Sequence, residues 1–228
     1  MVINAATYDF ADIADSYRFA ELVGPVGKWR ETRDVQVGML DRLGLAPRHR
    51  FLDAGCGSLR LGLPIIGYLE PGNYVGFDID PDCIAAAHEL IDAFELAQSK
   101  RPTVLLSQDF GTDVLDPSAR FDITWCFQVF IHLQAAIADR ALAAIAGFLA
   151  AEGCAFITVK AHDDDIGVKQ IGGWRSFPMM TVNLNDFHQR CRRAGLAMEP
   201  LGRLGDFGLP ASRGGSDNLL LKLTMDEV

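Results

Sequence analysis

The stretch Arg50-Phe51-Leu52-Asp53-Ala54-Gly55-Cys56-Gly57-Ser58-Leu59-Arg60-Leu61-Gly62 constrains the fold of this chain more than any other. An apolar pair runs into an acid and then into closely spaced glycines, which reads as a buried strand, a sharp turn and the first turn of a helix. A doubly wound sheet presents backbone N–H groups to a ligand in this way, at the carboxyl end of its first strand. A glycine turn by itself admits several nucleotide ligands, so the rest of the chain has to discriminate among them.

From Arg50 onward, strand and helix patterns alternate, which argues for a mostly parallel sheet of seven strands with helices on both faces. Strand one ends at Phe51-Leu52 and a helix is expected over Leu59–Tyr68. Tyr74-Val75-Gly76-Phe77 is strand two, ending at Asp78-Ile79-Asp80, and Pro81 opens a helix through about Ala97 at the favoured first-turn position. Strand three is Val104-Leu105-Leu106 and strand four is Phe121–Phe127, followed by a helix over Gln134–Leu149. Glu152-Gly153 reads as a turn before strand five, Cys154–Val159. Residues 161–182 read as a long irregular insertion. Asn185 is expected to cap a helix through Arg193, with Leu196–Leu201 and Asn218–Thr224 as a final strand pair. Two helical segments, Ala11–Leu22 and Trp29–Leu43, precede the first strand. The chain thus divides into a helical segment over residues 1–48, packed on the core or forming a lid, and a ligand-binding domain over 49–228.

Net charge is −9 with a pI near 4.9, so no global positive field favours long nucleic acid, and a small-molecule substrate is the expected partner. The five cysteines are scattered and never spaced as C-x-x-C, which suggests neither a disulfide framework nor a zinc site and fits a reducing cytoplasm. No secretory leader and no apolar run long enough for a membrane span is visible, so a soluble protein is expected. Oligomeric state leaves no trace in the sequence.

Three carboxylates, Asp53, Asp78 and Asp109, stand at or near the ends of the first three strands, which share one edge in a parallel sheet. Asp78 follows Gly57 at close to the spacing of about 20 residues at which an acid reaches ribose hydroxyls. Asp53, just under the turn, would repel a pyrophosphate and favour an ammonium or a sulfonium. Leu52-Asp53-Ala54-Gly55-Cys56-Gly57 together with Gly76-Phe77-Asp78-Ile79-Asp80 resembles the class I S-adenosylmethionine-dependent methyltransferases, whose fold is Rossmann-like. The resemblance runs over roughly residues 35–226.

That resemblance implies S-adenosylmethionine as cofactor, with its methionine end over Asp53, Gly55 and Gly57. It implies the ribose on Asp78, Ile79 against the adenine, Asp109 receiving the adenine amino group and the Phe110 N–H facing the ring. Phe127 and Gln128 would line the methionine arm. The family often has a third glycine where Leu59 stands here. Two uses suit Arg60: reaching the cofactor carboxylate, or anchoring the helix.

His132, in Phe130-Ile131-His132-Leu133, is the candidate general base, its alternative being a helix cap or a backbone partner. Phe130, Trp174 and Arg175 are the candidate substrate contacts; a loop cover folding its aromatics inward is the competing use of the insertion. His162-Asp163-Asp164-Asp165 reads as a solvated loop, and no metal is expected. If the N-terminal segment is a lid, Lys28, Trp29, Arg30 and Arg33 would meet the ligand. The expected function is methyl transfer to an oxygen or nitrogen of a small molecule. The alternatives are a protein or RNA acceptor, engaged through Lys28, Arg30, Arg33, Arg190, Arg192 and Arg193, and a cofactor-binding module without catalysis.

Overall fold

The structure, a computed structural model, describes residues 3–9, 13–24, 27–162, 168–174, 177–211 and 215–226. Seven of its strands belong to a mostly parallel sheet flanked by helices, the doubly wound class expected. The chain forms two compact units, Met1–Gln108 and Asp109–Val228.

The first unit begins with α1 (Ile13–Val23) and α2 (Trp29–Arg42), close to the expected helices. Its sheet strands are β1 (Phe51–Ala54), β2 (Tyr74–Asp78) and β3 (Thr103–Leu106), parallel in the order β3-β2-β1. Phe51 pairs with Tyr74 and Ala54 with Phe77, while Asp78 pairs with Leu106. The β1 residues are buried throughout, as a strand covered on both faces requires. Between the strands lie α3 (Gly62–Tyr68), α4 (Pro81–Ala93) and the short α5 (Leu96–Lys100).

Two expected helices are shorter than their sequence pattern suggests. The stretch Ser58-Leu59-Arg60 stays outside α3 because Leu59 holds a left-handed backbone, φ 62°, which a right-handed helix cannot contain. The helix from Pro81 breaks at Glu95, φ 53°, and resumes as α5. The start of α4 matches expectation: Asp80 caps it through the Asp82 N–H at 2.9 Å and Pro81 occupies its first turn.

The second unit holds β4 (Phe121–Cys126), α6 (Ala135–Phe148), β5 (Leu149–Val159), α7 (Leu184–Arg193), β9 (Leu196–Arg203) and β10 (Leu219–Met225), with sheet order β4-β5-β10-β9. β4 runs parallel to β5, and β10 is antiparallel to both β5 and β9. Glu152-Gly153 is not a turn. Both residues lie inside β5, where the pairing with β4 shifts register and a Cβ at position 153 would lie 2.6 Å from the Phe121 carbonyl oxygen. Asn185 is not the cap of α7; Asn183 is, its Oδ1 accepting from the Asn185 and Asp186 N–H groups.

The insertion is not irregular. Its described residues form a second sheet of β6 (Ala161–His162), β7 (Val168–Trp174) and β8 (Phe177–Asn183), in the order β6-β8-β7. β7 and β8 are an antiparallel pair closed by Trp174 opposite Phe177. Asp163, Asp164, Asp165 and Arg175 lie outside the described residues. The described cysteines are all free thiols, and no helix among the described residues is long and apolar enough to cross a membrane.

The N-terminal cations have protein partners. Arg33 is 2% exposed and pairs with Asp9 at 2.6 Å and Asp34 at 2.8 Å; Arg30 also reaches Asp9, and Lys28 reaches Glu31. Trp29 is buried with Phe19 beside it. The cations thus pair with nearby acids, and Trp29 packs α2 against Phe19 of α1. Arg33→Ala removes a buried, packed side chain but leaves Asp9 and Asp34, 27% and 51% exposed, in reach of water, so it should cost about 1–2 kcal/mol, measured by urea denaturation.

Candidate functional site

The glycine turn is built by backbone bonds to the end of β2. The Gly55 and Cys56 N–H groups donate to the Phe77 carbonyl at 2.8 and 3.0 Å, which holds the chain against β2 as it leaves β1. Gly55 and Gly57 have φ of 84° and 54°, a conformation that costs a residue with a Cβ. The Gly57 N–H donates to Asp78 Oδ2 at 2.8 Å, and the Asp80 N–H donates to Asp78 Oδ1 at 3.0 Å. One carboxylate thus fastens the turn to the strand end. An ionised carboxylate has about four lone-pair sites, so capacity for a ribose hydroxyl remains beyond the backbone N–H groups it accepts from.

Ile79, next in the chain, is 48% exposed, and Leu106 at the end of β3 is 42% exposed. Large apolar side chains standing in solvent at adjacent strand ends suit a flat ring. Leu106 was not singled out from sequence, because a leucine closing a strand reads as core.

Asp53 is only 3% exposed, so its charge acts from beneath the turn and not at its surface. Its Oδ2 accepts from the Tyr74 hydroxyl at 2.8 Å. Burial pushes its carboxyl up to about 7; the Tyr74 bond works against that rise and the charge of Asp78 adds to it. Burial also raises Asp78, opposed by the N–H groups it accepts from. The Cys56 thiol and the Tyr74 hydroxyl are driven well above their ordinary values, first by burial and then by the Asp53 charge.

The N-terminal segment contacts the same turn. Ser58 Oγ donates to the Phe19 carbonyl at 2.9 Å, Arg60 Nη1 donates to the Val23 carbonyl at 3.1 Å, and a Cβ at Gly57 would collide with the Val23 side chain. Arg60 is seen in the anchoring use, with the end of α1 as what it anchors. Leu59, fully buried, puts its side chain where a Cβ at Gly62 would have to be.

Comparison with known proteins agrees with this geometry. A family model described as a methyltransferase domain matches residues 52–155, from β1 into β5. That stretch is a little under half of the chain, and over it the sequence is similar to this family. The ribosomal RNA large subunit methyltransferase F of Pseudomonas fluorescens is 33% identical over 85 residues, 34% of this chain and 23% of that protein. The chain thus matches about a quarter of the length of this curated relative. The magnesium protoporphyrin IX methyltransferase of Synechocystis, solved with bound S-adenosylmethionine, superposes with a TM-score of 0.62 at 16% identity, covering 95% of this chain and 92% of that one. The 1,6-didemethyltoxoflavin-N1-methyltransferase of Burkholderia thailandensis gives 0.62 at 17% identity over 88% and 84% of the two chains. The doubly wound fold is therefore that of class I methyltransferases.

The second unit holds the remaining candidate residues. Asp109 is half-buried, accepts from Arg140 Nε at 3.1 Å and from Thr112 Oγ1 at 3.3 Å, and precedes Phe110, whose φ is 50°. Phe127 stacks on Trp125 with centroids 5.8 Å apart. Gln128 has φ 61°, donates its N–H to Thr158 Oγ1 at 2.7 Å and accepts from Asn218 Nδ2 at 2.9 Å. Non-glycine residues in left-handed conformations concentrate where structure around them enforces strain, often at functional sites. Thr158 and Asn218 escaped the sequence reading; the antiparallel register Leu219 to Val159 is what carries Asn218 to the end of β5.

Phe130 is 2% exposed and packs edge-on against Phe187 of α7, which is a core role. His132 Nδ1 lies 2.7 Å from the Pro178 carbonyl oxygen. A carbonyl only accepts, so Nδ1 carries a proton and Nε2 is the acceptor nitrogen of the neutral ring. The backbone of Trp174 pairs in β7. Among the described residues no group of three metal-ligating side chains occurs.

The raised Asp53 carboxyl has a stability consequence. A group whose folded value lies above its unfolded one stabilises fully below the unfolded value, and that contribution is lost as pH rises through about 7. Asp53→Asn removes the slope, so in the absence of ligand the variant should gain on wild type between pH 5 and pH 8, by on the order of a few kcal/mol. Thermal melts across that range measure the gap.

Proposed function

We propose that the chain is an S-adenosylmethionine-dependent methyltransferase that transfers the methyl group to an oxygen or nitrogen of a small molecule. The observation that carries the proposal is the Asp78 carboxylate, fastened to the glycine turn through Gly57 and followed by the exposed Ile79. These residues fit the cofactor: Asp78 for the ribose diol, Ile79 and Leu106 for the adenine, and the turn with Asp53 beneath it for the cationic amino-acid end. Bound there, the cofactor supplies a sulfonium-activated methyl group. Asp109, Phe110, Phe127 and Gln128 are proposed as further cofactor contacts, and Trp174 and Arg175 as acceptor contacts. Phe130 is given no contact with the acceptor, since its ring is spent on Phe187.

His132 is proposed as general base through Nε2, with Pro178 fixing the tautomer. The relatives solved with porphyrin-directed and toxoflavin-directed activities act on small molecules, which supports that acceptor class here.

The RNA reading rests on the ribosomal RNA methyltransferase relative. Against it, Lys28, Arg30, Arg33 and Arg190 face carboxylates already, Arg190 both Asp139 and Asp186 at 2.9 Å. Activity on RNA would fall steeply with added salt, whereas activity on a small acceptor would not.

Titration calorimetry with S-adenosylmethionine and with a nicotinamide dinucleotide separates the cofactor classes, and preference for the dinucleotide would falsify the reading. Asp78→Ala should weaken S-adenosylmethionine binding at least about tenfold, since it removes both the ribose acceptor and the tie on Gly57. Release of S-adenosylhomocysteine across an acceptor panel measures turnover. With an accepted substrate, His132→Ala should lower kcat by about 100-fold or more and flatten its pH profile; an unchanged rate would leave alignment as the sole source of catalysis.

A further inference from the structure

Tyr74 sits where a strand tyrosine has no ordinary reason to be so tightly housed. Its ring is 2% exposed and stacks on Phe51 with centroids 6.0 Å apart. Two glycines leave room for its hydroxyl: a Cβ at Gly62 would lie 2.6 Å from the Tyr74 oxygen, and one at Gly76 would lie 3.1 Å from it. Gly62 and Gly76 have no positive φ, so side-chain space, and not backbone conformation, is what asks for glycine at both positions. Within this slot the hydroxyl donates to Asp53 Oδ2 at 2.8 Å.

We propose that Tyr74 is a positioning residue which holds the Asp53 carboxylate in its charged form beneath the glycine turn, and so keeps that turn selective for a ligand with a cationic amino-acid end. The inference rests on the S-adenosylmethionine reading given above. Its physical basis is simple. A carboxylate taken out of water ionises only if donors replace the lost hydration, and a phenol locked between two glycines is a donor with little freedom to turn away. Within the first unit, the titratable groups acting on Asp53 are Tyr74 and Asp78, with Cys56 next to it along the chain. Tyr68 is the titratable residue of α3, and its hydroxyl goes to the Leu45 carbonyl at 3.1 Å. Asp78 opposes ionisation of Asp53, which leaves Tyr74 as the group that favours it.

The test is the pH dependence of S-adenosylmethionine affinity between pH 5.5 and 9, by calorimetry, for wild type, Tyr74→Phe and Asp53→Asn. Wild type should bind more weakly as pH falls through the Asp53 transition. Tyr74→Phe should move the midpoint of that loss upward by about one unit, so that affinity near pH 7 drops roughly fivefold and recovers in alkali. Asp53→Asn should show no midpoint. A structural role alone would weaken Tyr74→Phe equally at every pH. An unchanged midpoint in Tyr74→Phe overturns the assignment while leaving the cofactor reading intact. Failure of wild type to bind at any pH overturns both, and is recognised because it occurs without substitution. Should Tyr74→Phe not fold, carboxyl-carbon NMR titration of the unliganded wild type decides, with Asp53→Asn identifying the resonance: ionisation of Asp53 over the same pH range in which affinity rises supports the proposal, and an Asp53 that stays protonated from pH 5.5 to 9 overturns it.

Discussion

The bond from the Gly57 N–H to the Asp78 carboxylate is what the first unit depends on. It joins the turn after β1 to the end of β2, and the other oxygen of the same carboxylate accepts from Asp80, the cap of α4. The turn, the strand end and the helix start therefore share one anion. Removing that anion would loosen three elements together, which explains why a residue suited to bind a ribose also holds up its own surroundings.

Around this anchor the unit accepts local costs. Leu59 stands in a left-handed backbone that a glycine would adopt freely, yet its side chain is fully buried and fills space beside Gly62. The conformational penalty of about 1 kcal/mol or somewhat more is offset by burying a leucine, worth about 1.5–3 kcal/mol. A packed side chain here replaces the flexibility that a third glycine would bring. Asp53 follows the same logic: the burial that makes its charge costly also strengthens whatever field it exerts through the turn.

Much of this was legible in the chain because the signals are local. The glycine turn, Asp78 at the end of its strand and Pro81 opening a helix are all decided within a few residues. What was not legible depends on partners distant in sequence. The hairpin of β7 and β8 was hidden by Gly172-Gly173, which read as loop although both glycines pair across to Pro178 and Met179. Asn183 and Asn185 are equal candidates as a cap until the end of β8 is known. Phe130 looks like a surface contact until Phe187 covers it, and Tyr74 looks like an ordinary strand tyrosine until Gly62 and Asp53 are brought to it. The cations at positions 28, 30 and 33 look available until their acids arrive.

The strand order of the second unit has a bearing on how the chain is made. Among the described residues β9 has one neighbour in its sheet, β10, and β10 also completes the outer edge of β5. During synthesis from the amino end, β5 and β9 are both finished before residues 219–225 exist. Until then each presents an open row of N–H and C=O groups, the kind of edge that recruits other chains. Closure of this sheet is thus a late, non-local event, slow relative to the helices around it, and the interval before it is when the nascent protein is most exposed to aggregation.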